Sequence, residues 1–132
     1  TVVASGLDRH DDASPVIGAP FISDVDAVLR ACDAVVSVCG GKTVMDALAH
    51  GLPVVGLPRQ GEQREIALAL HEHGAALLPC RRRWDAARVR AAVFEACREG
   101  SYRDAATGLR AQVVSSGGAA AAVEEVVRVL SH

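Results

Sequence analysis

Between Asp33 and Gln63 the chain reads as an apolar β-branched run, a pair of glycines, a helical spacing and a second β-branched run, the order of a parallel α/β sheet. Ala34 to Val38 has the length and composition of a strand buried on both faces. Gly40 and Gly41 follow at once. Lacking a Cβ, they allow a tight turn and a close approach to a ligand. From Thr43 the apolar residues Val44, Ala47 and Leu48 share one side, as on a helix, and His50-Gly51 stops it with a basic residue and a glycine. Val54 to Leu57 is a second buried strand that runs into Pro58, and the loop after it carries Arg59, Gln60, Glu62 and Gln63.

A helix N-terminus offers unpaired backbone N–H groups and a partial positive charge, so a phosphate fits there. In open α/β sheets ligands sit outside the carboxyl ends of the strands, which puts both loops on one crevice. Gly40, Gly41, Lys42 and Thr43 have the N–H and hydroxyl donors to hold a diphosphate. Asp46, one turn on, can accept from a ribose hydroxyl, and Glu62 with Gln63 suits a sugar. The plain readings are a shaped turn for the glycines, a cap for Thr43, and a first helical turn for Glu62-Gln63, favoured there by the helix dipole. Lys42 reads as a solvated cation at the helix start. Convergence of the polar groups on one edge favours the ligand reading.

The run Cys-Gly-Gly-Lys-Thr-Val-Met-Asp-Ala-Leu-Ala-His-Gly-Leu-Pro-Val-Val-Gly-Leu-Pro, with Glu-Gln after it, resembles the donor-binding signature of GT-B glycosyltransferases, especially the bacterial antibiotic and macrolide enzymes. The family pattern is His-Gly-Gly-x-x-Thr, Glu-Ala-Leu, Gly-x-Pro and Asp-Gln, and the likeness extends over about Val16 to Pro79. It implies donor diphosphate contacts at Cys39, Gly40, Gly41 and Thr43, a ribose contact at Asp46 and sugar contacts at Glu62 and Gln63. Ile22 and Ser23 occupy the positions that receive the nucleotide base. Four features depart from the pattern: Cys39 replaces histidine, Asp46 replaces glutamate, Glu62 replaces aspartate, and one residue, Lys42, stands between Gly41 and Thr43 where the pattern has two. A thiol is a weaker donor than an imidazole N–H. At a helix N-terminus it can also become reactive, although the plainer reading of Cys39 is a small buried residue.

Bulk properties bound the rest. The 132 residues suffice for one domain with a single core, half of them are apolar, and a net charge of −2 gives no general attraction to nucleic acid or an anionic membrane. No run approaches the ~20 apolar residues of a membrane span. Thr1 opens the chain and its only methionine is Met45, so translation is expected to have begun further upstream. The four cysteines, Cys32, Cys39, Cys80 and Cys97, lack metal-type spacing and read as free thiols of a cytoplasmic domain, with Cys32 and Cys97 packed as small apolar groups. His71 and His73 are two apart on a helix and diverge, which argues against a metal site.

Around the central stretch, short strands are expected at Val2–Ala4 and Val16–Ile17, separated by an exposed loop over Leu7–Ser14. A helix over Asp24–Arg30 should be capped by Ser23, with Asp26 at its third position. An amphipathic helix over Arg64–His73, ended by Gly74, precedes a strand at Ala75–Leu78 and a solvated basic loop at Arg81–Arg83. Helices over Asp85–Arg98, Tyr102–Val114 and Ala119–Leu130 close the chain, the last with Val123, Val126, Val127 and Leu130 in register for burial.

The resemblance implies a Rossmann-like parallel sheet flanked by helices, the C-terminal, nucleotide-sugar-binding half of a GT-B fold, spanning residues 1–132 without its first strand and without the N-terminal acceptor domain. The full enzyme would move a hexose or deoxyhexose from a dTDP- or UDP-sugar to a natural-product hydroxyl, with neither metal nor cofactor. Its acceptor pocket and base would lie on the N-terminal domain, so this chain alone is expected to bind a donor and not turn it over. Two rivals stay open: a related GT-B enzyme using UDP-GlcNAc, and a non-catalytic auxiliary module with a decayed donor site. A nicotinamide-binding Rossmann domain fits less well, because GxGxxG is missing.

Overall fold

The computed structural model describes residues 2–5, 16–79 and 85–131, in two compact units, Thr1–Arg30 and Ala31–His132. The loop expected over Leu7–Ser14, Cys80 and the basic run Arg81–Arg83 lie outside the described residues. In the first unit, β1 (Val2–Ser5) pairs in parallel with β2 (Val16–Ala19), Val2 opposite Val16 and Ser5 opposite Ala19. α1 (Val25–Arg30) follows. Its cap is Asp24, not Ser23 as expected: the Ala27 N–H donates to Asp24 Oδ1 at 2.9 Å. A carboxylate at that position satisfies an orphan donor more strongly than a hydroxyl one residue further out.

The second unit contains β3 (Val35–Ser37), α2 (Gly41–Ala49), β4 (Val54–Gly56), α3 (Gly61–Glu72), β5 (Ala76–Leu77), α4 (Ala86–Arg98), α5 (Gly100–Ser115) and α6 (Gly118–Leu130). The strands form a parallel sheet in the order β3-β4-β5. β4 is central and buried throughout, as its unbroken apolar sequence implies. α4 covers β4 and β5, and Ala92 and Ala96 meet Val55 in the core, flanked by Ala34, Leu77 and Val93. Ala47, Ala67, Ala75, Ala76 and Ala106 are fully buried as well. With aromatic residues at only 3% of the chain, helices seat close to the sheet on small side chains.

The helix ends follow the sequence closely. At the end of α2, Gly51 (φ +65°) donates to Leu48 O at 2.9 Å and Leu52 to Ala47 O at 3.0 Å. At the end of α3, Gly74 (φ +74°) donates to His71 O at 2.9 Å and Ala75 to Leu70 O at 2.9 Å. Both are the paired-bond glycine stop that satisfies the last carbonyls, and only glycine adopts that φ without strain. Each stop feeds the chain straight into the next strand.

Other expectations are corrected. β3 is an outer strand of the three-stranded sheet among the described residues, and Val36 is 47% exposed instead of buried on both sides. α3 begins at Gly61, three residues before Arg64, because Gln60 serves as its N-cap. α6 buries none of its residues, and Leu130 is 80% exposed, so the Val123-Val126-Val127-Leu130 stripe faces solvent. Cys32 is half-buried as a small apolar residue, whereas Cys97 is exposed. Cys32, Cys39 and Cys97 are free thiols among the described residues, and no described helix is long and apolar enough to cross a membrane.

Gly56, the last residue of β4, has no room for a side chain: a Cβ would lie 2.8 Å from Cys39 Sγ and 2.8 Å from Leu78 Cδ2. Gly56→Ala should therefore lower stability by about 1–3 kcal/mol, the usual range for overpacking. Urea denaturation should show part of that loss recovered in the Cys39→Ala/Gly56→Ala double variant, which removes one of the two clashing atoms.

Candidate functional site

β3 and β4 are neighbours, run the same way and finish together. Ser37 stands opposite Gly56, and the Leu57 N–H donates to Ser37 O at 2.8 Å. The turns that follow them, into α2 and into α3, therefore leave from one edge of the sheet. A Cβ on Gly41, the first residue of α2, would lie 4.0 Å from Ile66 Cδ1 in the second turn of α3. The two helix N-termini are thus side by side.

The sharp bend of the first turn belongs to Cys39 and not to the glycines. Cys39 adopts φ +62°, a left-handed conformation that costs a non-glycine residue roughly 1–2 kcal/mol. The Ser37 hydroxyl holds it there by accepting from the Cys39 N–H at 3.0 Å. Gly40 is extended (φ −65°, ψ 140°), a conformation open to any residue. A Cβ there would meet nothing within 4 Å, and at Gly41 it would make only ordinary contact. Neither the dihedral angles nor the internal packing of the fold require these two glycines.

Cys39 has no exposed surface and its thiol packs against Gly56. Burial pushes the thiol's pKa up, and hydrogen bonds with Ser37 and the Leu57 backbone offset this only in part. The plain reading of a small buried residue holds. The arrangement gives the reactive thiolate no support, and in it the side chain does not reach a ligand on the sheet edge.

The first turn of α2 is bare. It has no side-chain cap and no acidic residue, and the first backbone bond into the helix is Val44 N to Gly40 O at 3.0 Å. The N–H groups of residues 41–43 precede that bond, so they point outward as donors. Thr43 is exposed beside them. One turn on, Asp46 Oδ2 is 2.6 Å from Lys42 Nζ, an ion pair the sequence reading missed by treating Lys42 as a lone solvated charge. The i,i+4 spacing of the two residues was its visible sign.

The entry to α3 is braced by a side chain of its first turn. Gln63 Oε1 accepts from the Arg59 N–H at 2.9 Å and the Gln60 N–H at 3.2 Å, which fixes its amide orientation and turns its NH₂ away from the cap. Glu62 is exposed in the same turn, where the dipole favours a carboxylate. Glu62 and Gln63 thus belong to a helix and not to the expected loop, yet they remain on the shared edge. Ile22, half-buried, and Ser23, exposed, lie in the first unit, in the segment leading into α1. The described histidines serve backbone carbonyls: Nδ1 of His50, His71 and His73 reaches Asp46 O, Ala76 O and Ala69 O at 2.8, 2.9 and 2.8 Å.

Two helix N-termini side by side at the carboxyl edge of a parallel sheet stand where open α/β sheets take their ligands. The sequence matches the family described as "Erythromycin biosynthesis protein CIII-like, C-terminal domain" over residues 18–130, and the chain belongs to that family. Similar solved structures include the glycotransferase of kitacinnamycin, 28% identical with a TM-score of 0.70 over 86% of this chain and 29% of that one. CalG4, the calicheamicin glycosyltransferase, is 26% identical with a TM-score of 0.78 over 88% and 30%. The spinosyn forosaminyltransferase SpnP, 19% identical, shares the fold with a TM-score of 0.84 over 99% and 34%. The chain therefore spans about a third of the length of these structures. No curated protein matches it by sequence. The likeness to a GT-B C-terminal domain is borne out for family and fold.

The contrast between exposed Cys97 and buried Cys39 yields a direct test. Iodoacetamide at mildly alkaline pH should alkylate Cys97 while Cys39 stays protected in the folded chain, read by peptide mass spectrometry. Because the folded-state pKa of Cys39 is raised, the stability it lends is intact below the ordinary thiol range and is lost as pH rises through the raised value.

Proposed function

We propose that this chain is the donor-binding half of a glycosyltransferase whose full form transfers a hexose or deoxyhexose from a dTDP- or UDP-sugar to a hydroxyl of a natural-product acceptor. The observation that carries this reading is the pair of glycines at the bare end of α2. The fold has room for a side chain at both positions, and a ligand laid against the N–H groups of residues 41–43 does not. Gly40, Gly41 and Thr43 then hold the diphosphate, with Cys39 shaping the turn from beneath. Asp46 takes the ribose, and Glu62 and the Gln63 NH₂ take sugar hydroxyls. Family membership and the likeness to antibiotic glycosyltransferases support the same reading.

Displacement at a sugar carbon needs a base aligned with an oriented acceptor hydroxyl. Among the described residues the histidines, His50, His71 and His73, are engaged with helix and strand carbonyls, and none of them stands at the two helix N-termini. The base and acceptor pocket are assigned to an N-terminal domain, and this chain by itself binds without turnover. One observation favours the auxiliary-module reading: the residue standing where the family pattern has histidine is buried.

Calorimetry with dTDP and UDP separates the two. The donor-site reading expects binding that falls roughly 10- to 100-fold in Gly40→Ala and in Gly41→Ala, the loss of one or two charge-assisted hydrogen bonds, while stability stays within about 1 kcal/mol. No heat with either nucleotide at millimolar concentration would favour the auxiliary module, and glycine variants that bind as well as the parent would sink the placement of the diphosphate.

A further inference from the structure

We propose that Lys42 makes this site selective for ligands that carry a diphosphate. In the arrangement described it holds Asp46, and it passes to the diphosphate when one binds, which releases the Asp46 carboxylate to a ribose hydroxyl. The inference rests on the donor-site reading above and adds to it a residue with two alternative partners.

The ion pair is built to be exchanged. Lys42 Nζ meets Asp46 Oδ2 at 2.6 Å, and the two side chains are 86% and 34% exposed. Solvent screens a pair so open, and such pairs contribute little to stability. Its order along the helix is also the weaker one. The cation stands at the positive end of α2 and its carboxylate a turn further in, whereas the helix dipole favours the reverse. No acidic residue of the first turn compensates. An anion set against the N–H groups of residues 41–43 relieves that mismatch at once. It lies in the same turn as Lys42, and an ammonium on a flexible four-carbon stem has three donors to offer it.

Asp46 explains why the exchange selects. While Lys42 occupies it, the carboxylate is a poorer acceptor for a ribose diol, so a nucleoside without phosphates must compete with the ammonium. A nucleoside diphosphate draws the ammonium away and meets a carboxylate that has been set free. Lys42 also lies between two groups of negative charge, the diphosphate and Asp46, and offsets their repulsion in the bound state.

Titration of the chain with dTDP and UDP, and with thymidine and uridine, tests this in the parent, Lys42→Met and Lys42→Arg. Lys42→Met should weaken the diphosphates about tenfold, the worth of one charge-assisted hydrogen bond. It should tighten the nucleosides roughly two- to fivefold, the range of an exposed ion pair. Lys42→Arg should restore most of the diphosphate affinity. Lys42 is exposed, and thermal denaturation should show all three proteins equally folded. A Lys42→Met variant that weakens both ligand types alike, leaves both unchanged, or binds nucleosides no tighter than the parent overturns the inference, undetectable nucleoside binding to both included. A parent chain that binds neither diphosphate brings down the donor-site reading and this inference with it. Diphosphate binding to the parent with an unaltered ligand ratio in the variant brings down this inference alone.

Discussion

The site depends on the parallel pairing of β3 with β4 in one register. Because Ser37 stands opposite Gly56, both chains leave the sheet at the same level, and the bond from Leu57 N to Ser37 O carries the pairing one residue beyond the strands. A register shift of one residue would carry Gly56 away from Cys39 and reverse the faces of every side chain on β4. The contact between the Cys39 thiol and the bare backbone of Gly56 therefore ties the sheet's register to the geometry of the first turn. Core and site are locked by the same two residues, and this is why the cysteine is buried and not presented to solvent.

Much of this was legible in the sequence because the signals are local. β-branched runs marked β3 and β4, and His50-Gly51 and His73-Gly74 marked two helix stops that the hydrogen bonds reproduce. Less legible was what depends on neighbours distant in the chain. Ala34–Val38 reads as doubly buried, but burial of a strand is decided by its place in the sheet, and β3 is an outer strand among the described residues. The apolar spacing of α6 shows that the helix has a face suited to burial, but spacing alone does not say what covers it. Cys97 was misplaced for the same reason, since its spacing on α4 did not reveal which side meets β4 and β5.

In the site, identities were more legible than postures. The residues expected at the sheet edge, Gly40, Gly41, Thr43, Asp46, Glu62 and Gln63, do gather there. The division of labour between turn residues was not legible. A Gly-Gly pair next to a strand suggests that glycine makes the bend, but the left-handed residue is Cys39, held by a serine two residues before it. Gln63 likewise reads as a free amide until its carbonyl is found under two backbone N–H groups.

The two helix ends on the shared edge differ in a way that sorts a ligand by charge. α3 carries Glu62 in its first turn, a carboxylate that offsets the positive helix end, while the Gln63 carbonyl accepts from the two N–H groups just before the helix, those of Arg59 and Gln60. α2 has no side-chain cap or first-turn carboxylate and adds Lys42, so its end is the more positive of the two. On the proposed donor-site reading, the anionic part of a ligand would face α2 and its hydroxyls α3. The separation of the two ends is fixed by neighbouring strands of one sheet. The difference in charge between the two ends is set by Lys42 on α2 and Glu62 on α3, side chains that the sheet holds on one edge.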